Sequence, residues 1–552
     1  MAPPERPFPA LARTVALAGV LFVVVFWRLG DATFWDPDEA HYAETTSELI
    51  ATGDWWAPFY NEQPFFDKPI FFHQLQAVAM FVLGETELSA RMVPALAAVV
   101  LVLFTGWLGA TLISAQAGFI AALLLAANPG TFGLARYAIL DTLFMAFLFA
   151  GVGLVAVAAL HDRRTLQWPG YILIACAVMV KGPLALVLSG LAMVLSMAMS
   201  ADLRRRLLGL RWIAGLALAV AISAPWFVYM YLRFRDIFVA GYLLDENIRL
   251  FATDRFTGRL GYSFYFRIVA TGMLPWTGIL LGRLADEVRS AVRGRRPDGV
   301  ELLLWAWTIG VFGFFTLSRF KLDHYVFAAA PSLCLLCARA WVDVREHPDA
   351  PEHRGARAGV WLVGPCLLLV GAAAGYFLLM RLELPTATAV VPVVVTFAGL
   401  LTLARVDARY RWPPRVPWLA LAAMTTIYAG LVVFVIPALE SQKVIPDVAR
   451  WVAAQADPAD RVGTYRLSRW NAAFRFYVDR HVTMLDDQEQ MAAFFDGPDP
   501  FYVVMLEPDY RHFLTRGVPL KEAYARDGMF MTSGRALWRR APPPTRFVVA
   551  TR

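Results

Sequence analysis

The chain has 552 residues, of which 58% are hydrophobic and only 17% charged; soluble domains average about 45–50% apolar and about 25% charged residues. Its 34 Pro and 38 Gly are spread along the chain, so no long disordered tract accounts for the shift, and an ordinary soluble enzyme is excluded in favour of a polytopic α-helical membrane protein. The net charge of +7 is a topological signal rather than a nucleic-acid footprint, because the basic residues sit in short connections between apolar runs. Four cysteines, Cys176, Cys334, Cys337 and Cys366, all lie inside apolar runs, so neither a disulfide framework nor a zinc ribbon is implied. The one CxxC, Cys334 and Cys337 in AAAPSLCLLCARAW, reads as buried helix.

A hydrocarbon core about 30 Å thick takes about 20 apolar residues per helix. Thirteen candidate spans follow: 10–29, 90–110, 115–128, 140–160, 168–181, 183–200, 211–232, 264–282, 300–317, 324–342, 358–380, 386–404 and 416–437. The first has no small-residue cleavage site and closes on Trp27 and Arg28, as an interfacial anchor does, so it reads as a permanent span. Arginines cluster after the even-numbered spans, for example Arg163 and Arg164, Arg204 to Arg206, and Arg283, Arg289 and Arg293. That face is therefore cytoplasmic, with the amino terminus inside. The long segments 30–89 and 233–263, and everything after Pro437, fall on the other face.

The first outer segment is the most informative, running WDPDEAHYAETTSELIATGDWWAPFYNEQPFFDKPIFF from Trp35 to Phe72. Asp38 and Glu39 follow Pro37, which suits the first turn of a helix. Ala40, Tyr42, Ala43, Leu49 and Ile50 then give it an apolar side, as in a helix lying on a membrane surface. A second helix is predicted to begin near Pro69, with Lys68 at the end that disfavours a cation, which points to compensation by a ligand's charge. Read alone, DPDE is a helix cap on a solvated loop.

Further along, Asp141 enters an apolar span in RYAILDTLFMAF, five residues after Arg136, and an ionisable group there faces a cavity or a partner. Only five of the 51 basic residues are Lys, and none of the five lies in the cytoplasmic loops. Lys68, Lys181 in MVKGPLAL and Lys321 in SRFKLDHYVFAAAP all fall at outer ends of spans. Snorkelling explains any one of them; three together, with Arg319 and several acids, suggest an outward-opening pocket suited to a phosphate. After Pro437 the texture changes. RVGTYRL, RFYVD, HVTML, DPFYVVML and RALWRRA read as short strands, with helices near Pro446–Gln455 and Asp487–Phe495. These residues predict a small α/β domain, with a boundary at 440/441.

PDEAHYAE, GDW, FFDKPIFF, RYAILDTLF, VKGPLAL and SRFKLDHYVFAAAP occur in order between Pro37 and Pro331. Together they resemble the membrane glycosyltransferases of GT-C architecture that use polyprenyl-phosphate sugars. The closest resemblance is to the bacterial 4-amino-4-deoxy-L-arabinose transferases that modify lipid A. One departure is His41, where the family pattern PDExRYAE has Arg. The resemblance implies about thirteen transmembrane helices with a periplasmic carboxy-terminal domain, in the bacterial inner membrane. It implies an undecaprenyl-phosphate sugar as donor and lipid A as acceptor, among membrane lipids, and the chain reads as a monomer. Asp38 and Asp141, with Glu39 beside the first, are the implied functional carboxylates. Lys68 is implied to lie beside the lipid phosphate, with Asp67 and Tyr42 near it, Lys321 and Tyr325 in the same pocket, and Arg255 reaching the phosphate from 233–263.

In such a transfer the lipid phosphate leaves the anomeric carbon and needs charge neutralisation more than a proton. A hydroxyl acceptor would require Asp38 as general base; a phosphate acceptor would not, and Asp38 or Asp141 would then pair with the sugar's ammonium. No cofactor is required. A divalent metal, if one is used, would draw on His73, His324, Asp67 and Glu62, too scattered a set to assign. The competing readings are a protein O-mannosyltransferase, which shares the donor chemistry, and a transporter. No internal repeat of the transporter kind is visible, and the ionisable residues gather on one face.

Overall fold

The computed structural model describes residues 10–253, 260–295, 297–405, 416–467, 471–497, 499–528 and 545–552. All thirteen candidate spans are helical over most of their length. Among the described residues, eight helices are individually long and apolar enough to cross a membrane, or up to ten if each of two bent pairs is one span. Leu11–Phe26, Phe71–Leu83 and Leu184–Met199 are shorter apolar helices, so thirteen stands as the sequence expectation for the number that cross. The chain divides into two units.

The first unit comprises Met1–Arg28, Phe66–Phe72 and Val93–Phe434. Its bends occur where the sequence interrupts the helical ladder. Ala115–Ala126 and Pro129–Ala135 meet at 59°. Asn128 caps the second piece by accepting from the Gly130 N–H at 2.8 Å, and Tyr428 Oη donates to the Ala127 carbonyl at 2.7 Å. Backbone groups freed inside an apolar bundle are thus satisfied by side chains, as a region without water demands. Helix Thr277–Val292 crosses Arg354–Trp361 through Gly278, Gly282, Gly355 and Gly359, where a Cβ on any of the four would collide with the facing backbone carbonyl. Arg283 ties the same region together, bonding Glu301 Oε1 at 2.7 Å and Asp343 Oδ2 at 2.8 Å. The helix beginning at Trp212 is interrupted at Arg235, whose φ is 51°, and helical backbone then resumes as far as Ala252. Its later part, Val239–Arg249, is wound in wide turns and supplies one wall of the site described below.

The second unit comprises Leu29–Phe65, His73–Met92 and Val435–Arg552. Its five-stranded sheet consists of Arg461–Tyr465, Thr483–Leu485, Phe501–Leu506, Lys521–Gly528 and Thr545–Thr551. The first three pair in parallel, with Arg461–Tyr465 in the centre; Thr545–Thr551 then joins Phe501–Leu506 antiparallel and carries Lys521–Gly528 at the edge. Tyr465, Met491, Phe501, Val503, Met505 and Val548 are among its core residues. Three of the predicted strands and both predicted helices are present. RFYVD is a correction: it belongs to a helix, Asn471–Val478. Ala472, Ala473, Phe474 and Val478 are buried, so the side that packs has helical spacing rather than alternation. RALWRRA lies outside the described residues. A two-stranded ribbon, Phe59–Tyr60 with Gln63–Pro64, turns through Asn61 and Glu62, whose φ values of 52° and 64° match a two-residue hairpin.

Candidate active site

In the first unit, a cavity of about 360 Å³ is lined by Asp67, Lys68, Lys181, Tyr242, Glu246 and Tyr325, with apolar walls from Leu184, Val187, Ile248, Leu250, Phe251 and Phe314. Lys68 stands just before helix Phe71–Leu83. Its ammonium donates to the Asp67 carbonyl at 2.8 Å and lies 3.4 Å from Glu246 Oε2. Lys181 is the last residue of helix Gln167–Lys181, so the cation meets the negative end of its own helix. The chain then breaks at Gly182, with φ of 76°, where a Cβ would strike the Tyr242 hydroxyl. That break is the Lys-Gly-Pro signal in the sequence.

Asp141 opens helix Asp141–Leu160, again at the favoured end. It is buried and ion-paired to Lys181, while His324 Nε2 lies 3.7 Å from its Oδ1. The Lys181 ammonium also sits 4.7 Å from the centre of the Tyr325 ring. These contacts link residues distant in sequence: Asp141, Lys181, His324 and Tyr325 form one cluster, with Lys68 and Glu246 on the shared cavity. Lys321 is buried, and its ammonium is held by the Ser318 carbonyl; Ser318 itself lines the cavity. Arg136 bonds the carbonyls of Val25 and Arg28 at 3.2 and 3.0 Å. Arg255 and Arg259 lie outside the described residues. Arg249 is exposed and pairs with Asp245 at 2.6 Å.

In the second unit, Asp38 is the first residue of helix Asp38–Thr52 and is exposed. Glu39, fully buried, receives Arg91 in a two-pronged pair of 2.6 and 2.9 Å and accepts the Trp35 N–H at 3.0 Å. Tyr42 stacks on His73 at 5.5 Å. His41 lies among rings, 4.1 Å from Tyr60 and 4.6 Å from Phe65, and burial lowers its pKa to about 4. The imidazole is therefore neutral there. Asp36 is half covered, but its Oδ1 is fully buried. Burial pushes its pKa up to about 8 against the opposing pull of Lys443. Glu44 is raised to about 7 by burial, although Arg475 Nε bonds it at 2.5 Å. Arg475 also reaches Glu48 at 3.3 Å.

The donors considered for a metal do not form one ligand set. His73 Nδ1 bonds Thr46 Oγ1 at 2.8 Å, Glu62 pairs with His481 at 2.9 Å, and His324 faces Asp141 and Asp323. Among the described residues no group of three or more His, Cys, Asp or Glu is arranged to hold a metal. Sequence reading singled out Lys181 without giving it a site role, and it passed over Glu246, Arg91 and Arg475. The Lys-Gly-Pro break signalled Lys181. No local pattern signals the other three, whose partners are far away in the chain.

Residues 14–240 match the dolichyl-phosphate-mannose-protein mannosyltransferase family. An undecaprenyl phosphate-α-4-amino-4-deoxy-L-arabinose arabinosyl transferase of Pectobacterium carotovorum is 30% identical over 420 residues, covering 73% of each chain. One from Sodalis glossinidius is 30% identical over 333 residues, covering 59% of this chain and 58% of its own. In fold, the chain is similar to ArnT from Cupriavidus metallidurans bound to undecaprenyl phosphate, with a TM-score of 0.75 over 98% of both chains at 22% identity. The motifs between Pro37 and Pro331 and the identity over nearly three quarters of a full relative lead to the same place: the chain belongs to the family of undecaprenyl phosphate-α-4-amino-4-deoxy-L-arabinose arabinosyl transferases.

Proposed function

We propose that this multi-pass membrane glycosyltransferase moves 4-amino-4-deoxy-L-arabinose from undecaprenyl phosphate to a phosphate of lipid A at the periplasmic face of the inner membrane. The observation that carries the reading is the cavity of Lys68. It holds a cation beside a long apolar wall, which suits a phosphate attached to a hydrocarbon chain. The basic connections favour a cytoplasmic amino terminus, with residues 441–552 as a periplasmic domain appended to a membrane domain of residues 1–440. The chain acts as a monomer in this reading.

Transfer breaks the bond between the anomeric carbon and the carrier's phosphate oxygen, and that oxygen keeps the electron pair. An oxygen of the acceptor phosphate forms the new bond. It is already ionised near neutral pH, so no proton has to be removed. Charge accumulates on the departing undecaprenyl phosphate, and Lys68 stabilises it there, with Arg255 as a second cation. Fixed charges of this kind act without reorganising during the step. Asp141 holds Lys181 against the cavity wall, and Lys321 and Tyr325 shape the same wall. Asp38 orients the sugar from the start of its helix, with Asp67 and Tyr42 as further binding groups. Glu39 acts through Arg91 as a positioning residue that fixes the Asp38 turn.

The test is transfer from synthetic donor to purified lipid A, read by mass spectrometry as the gain of one pentosamine. Asp38→Asn and Lys68→Ala are expected to abolish that gain while the protein still inserts and purifies. Normal modification by both variants, or modified glycoproteins with unchanged lipid A, would overturn the proposal.

A further inference from the structure

We propose that two neighbouring basic connections, at the far end of helix Gln167–Lys181 from the cavity, form a binding site for the phosphate of an anionic glycerophospholipid. The inference is independent of the sugar donor and needs only that the helices cross a membrane.

Lys181 reaches the cavity from the last turn of its helix. The other end of that helix is about 21 Å away, at about 1.5 Å per residue, and begins with Gln167, which is buried. The Gln167 amide nitrogen donates to the Arg164 carbonyl at 2.6 Å, and its oxygen accepts the Arg211 N–H at 2.8 Å. One buried side chain thus fastens the connection after Asp141–Leu160 to the one before the helix at Trp212. Arg206 adds a bond to the Leu160 carbonyl at 3.2 Å. Helix Ala201–Leu208 turns Leu203 and Leu207 inward and leaves Arg204, Arg205 and Arg206 exposed. The two connections contain acids at Asp162 and Asp202. Asp162 takes Arg164, and Asp202 takes both Arg205 and Arg206. Among the described residues, Arg163, Arg204 and Arg211 are exposed and no acid pairs with them.

Aromatic residues fix the depth of this group. Trp212 Nε1 donates to the Leu207 carbonyl at 2.7 Å, and Tyr171 has Trp168 and Trp212 at ring distances of 6.1 and 5.9 Å. Such a belt marks the boundary between hydrocarbon and water. Just inside it, Ile213 and Leu216 are 88% and 56% exposed, an apolar surface that acyl chains cover. Cations at headgroup depth beside a bare apolar wall match a phosphodiester that carries acyl chains, and a planar guanidinium can give two parallel bonds to its oxygens. Arginines further along the chain are already engaged. Arg283 bonds Glu301 and Asp343, Arg289 pairs with Asp286, Arg295 with Glu352 and Arg339 with Asp298. The topological bias of basic residues places arginines in both groups; of the two, the group between 163 and 211 keeps positive charge for an anionic lipid.

The experiment titrates full-length protein in detergent with phosphatidylglycerol or phosphatidylcholine and counts bound lipid by native mass spectrometry. Wild-type protein is expected to bind phosphatidylglycerol at least about tenfold more tightly, the scale of a few cations near an anionic lipid. An equal concentration of inorganic phosphate should not displace it. The triple variant Arg163→Ala/Arg204→Ala/Arg211→Ala should bring the two lipids to within about threefold of each other. Arg204→Glu, on the exposed side of its short helix, should alone weaken phosphatidylglycerol by about fivefold and decides the matter if the triple variant does not purify. Arg295→Glu, with the same change of charge in the compensated group, should leave binding unchanged. Equal binding of the two lipids by wild-type protein overturns the inference, and so does undiminished preference in Arg204→Glu. Equal loss in Arg295→Glu assigns the effect to net charge, and displacement by inorganic phosphate makes this a free-anion site; either result overturns it. Loss in Lys68→Ala with retention in Arg204→Glu moves the lipid to the cavity and overturns it too.

Discussion

Glu39–Arg91 and Lys68–Glu246 are both acid–base pairs made by residues far apart in the chain, yet they do opposite jobs. In the second unit, Arg91 is buried with its guanidinium saturated. It grips Glu39 at 2.6 and 2.9 Å and donates to the carbonyls of Leu29, Ala32 and Thr33 at 3.0, 2.6 and 3.1 Å. In the first unit, Lys68 holds Glu246 at 3.4 Å on the wall of a cavity. A planar fork meeting a carboxylate and three carbonyls fixes one geometry. An ammonium on a flexible stem holds its partner loosely and can exchange it. Charge complementarity is common to both; burial and geometry separate the scaffold from the binding group.

The contrast fails most visibly if Arg91 can be removed cheaply. Arg91→Ala strands the Glu39 carboxylate in the interior, and we expect about 3–5 kcal/mol of destabilisation, read as a fall in thermal unfolding temperature and in yield of folded protein. Lys68→Ala should give the complementary result: transfer lost, a fall of at least about 10²–10³-fold, with near-wild-type thermal unfolding. Equal losses of stability in the two variants would erase the distinction.

Arg475 tests an intermediate case. Without it, Glu44 and Glu48 face each other unneutralised, so Arg475→Ala should cost about 1–3 kcal/mol, more at pH 8 than at pH 6, because Glu44 already titrates at about 7. The smallest effect concerns Asp36. Its folded pKa of about 8 stands above its ordinary 3.8, so across that interval the folded chain holds a proton that the unfolded chain has released. Stability contributed by Asp36 therefore falls as pH rises from about 4 to about 8 and is level above. His41, lowered to about 4, acts in the opposite sense below its ordinary 6.5. Asp36→Asn should flatten the decline in unfolding temperature between pH 7 and 8, where His41 no longer contributes.

Much of the architecture was legible because each feature is local. Apolar runs declare helices, Pro37 followed by two acids declares the start at Asp38, and the runs at 461, 483 and 501 declare strands. RFYVD misled because five residues fit an alternating strand as well as one turn and a half of helix; the preceding Ala472 and Ala473 were the better guide. At the candidate site, Lys68 was legible as a cation at the outer end of a span, whereas Asp67 and Tyr325 came only from the family resemblance; the structure lines one cavity with all three. Glu246 was not, since DENIRLF looks like any exposed amphipathic turn and its partner is 178 positions away.

Composition and periodicity alone determined that this chain is helical, lies in a membrane and ends in an α/β domain, because burying apolar surface depends on residue order over a few turns. Only the tertiary structure decided which charges meet. Pairing Asp141 with Lys181, Glu39 with Arg91 or Lys68 with Glu246 depends on where distant helices bring their side chains and how much water remains between them. Those two quantities are set by the packing of the whole unit and leave no mark on the sequence near either partner.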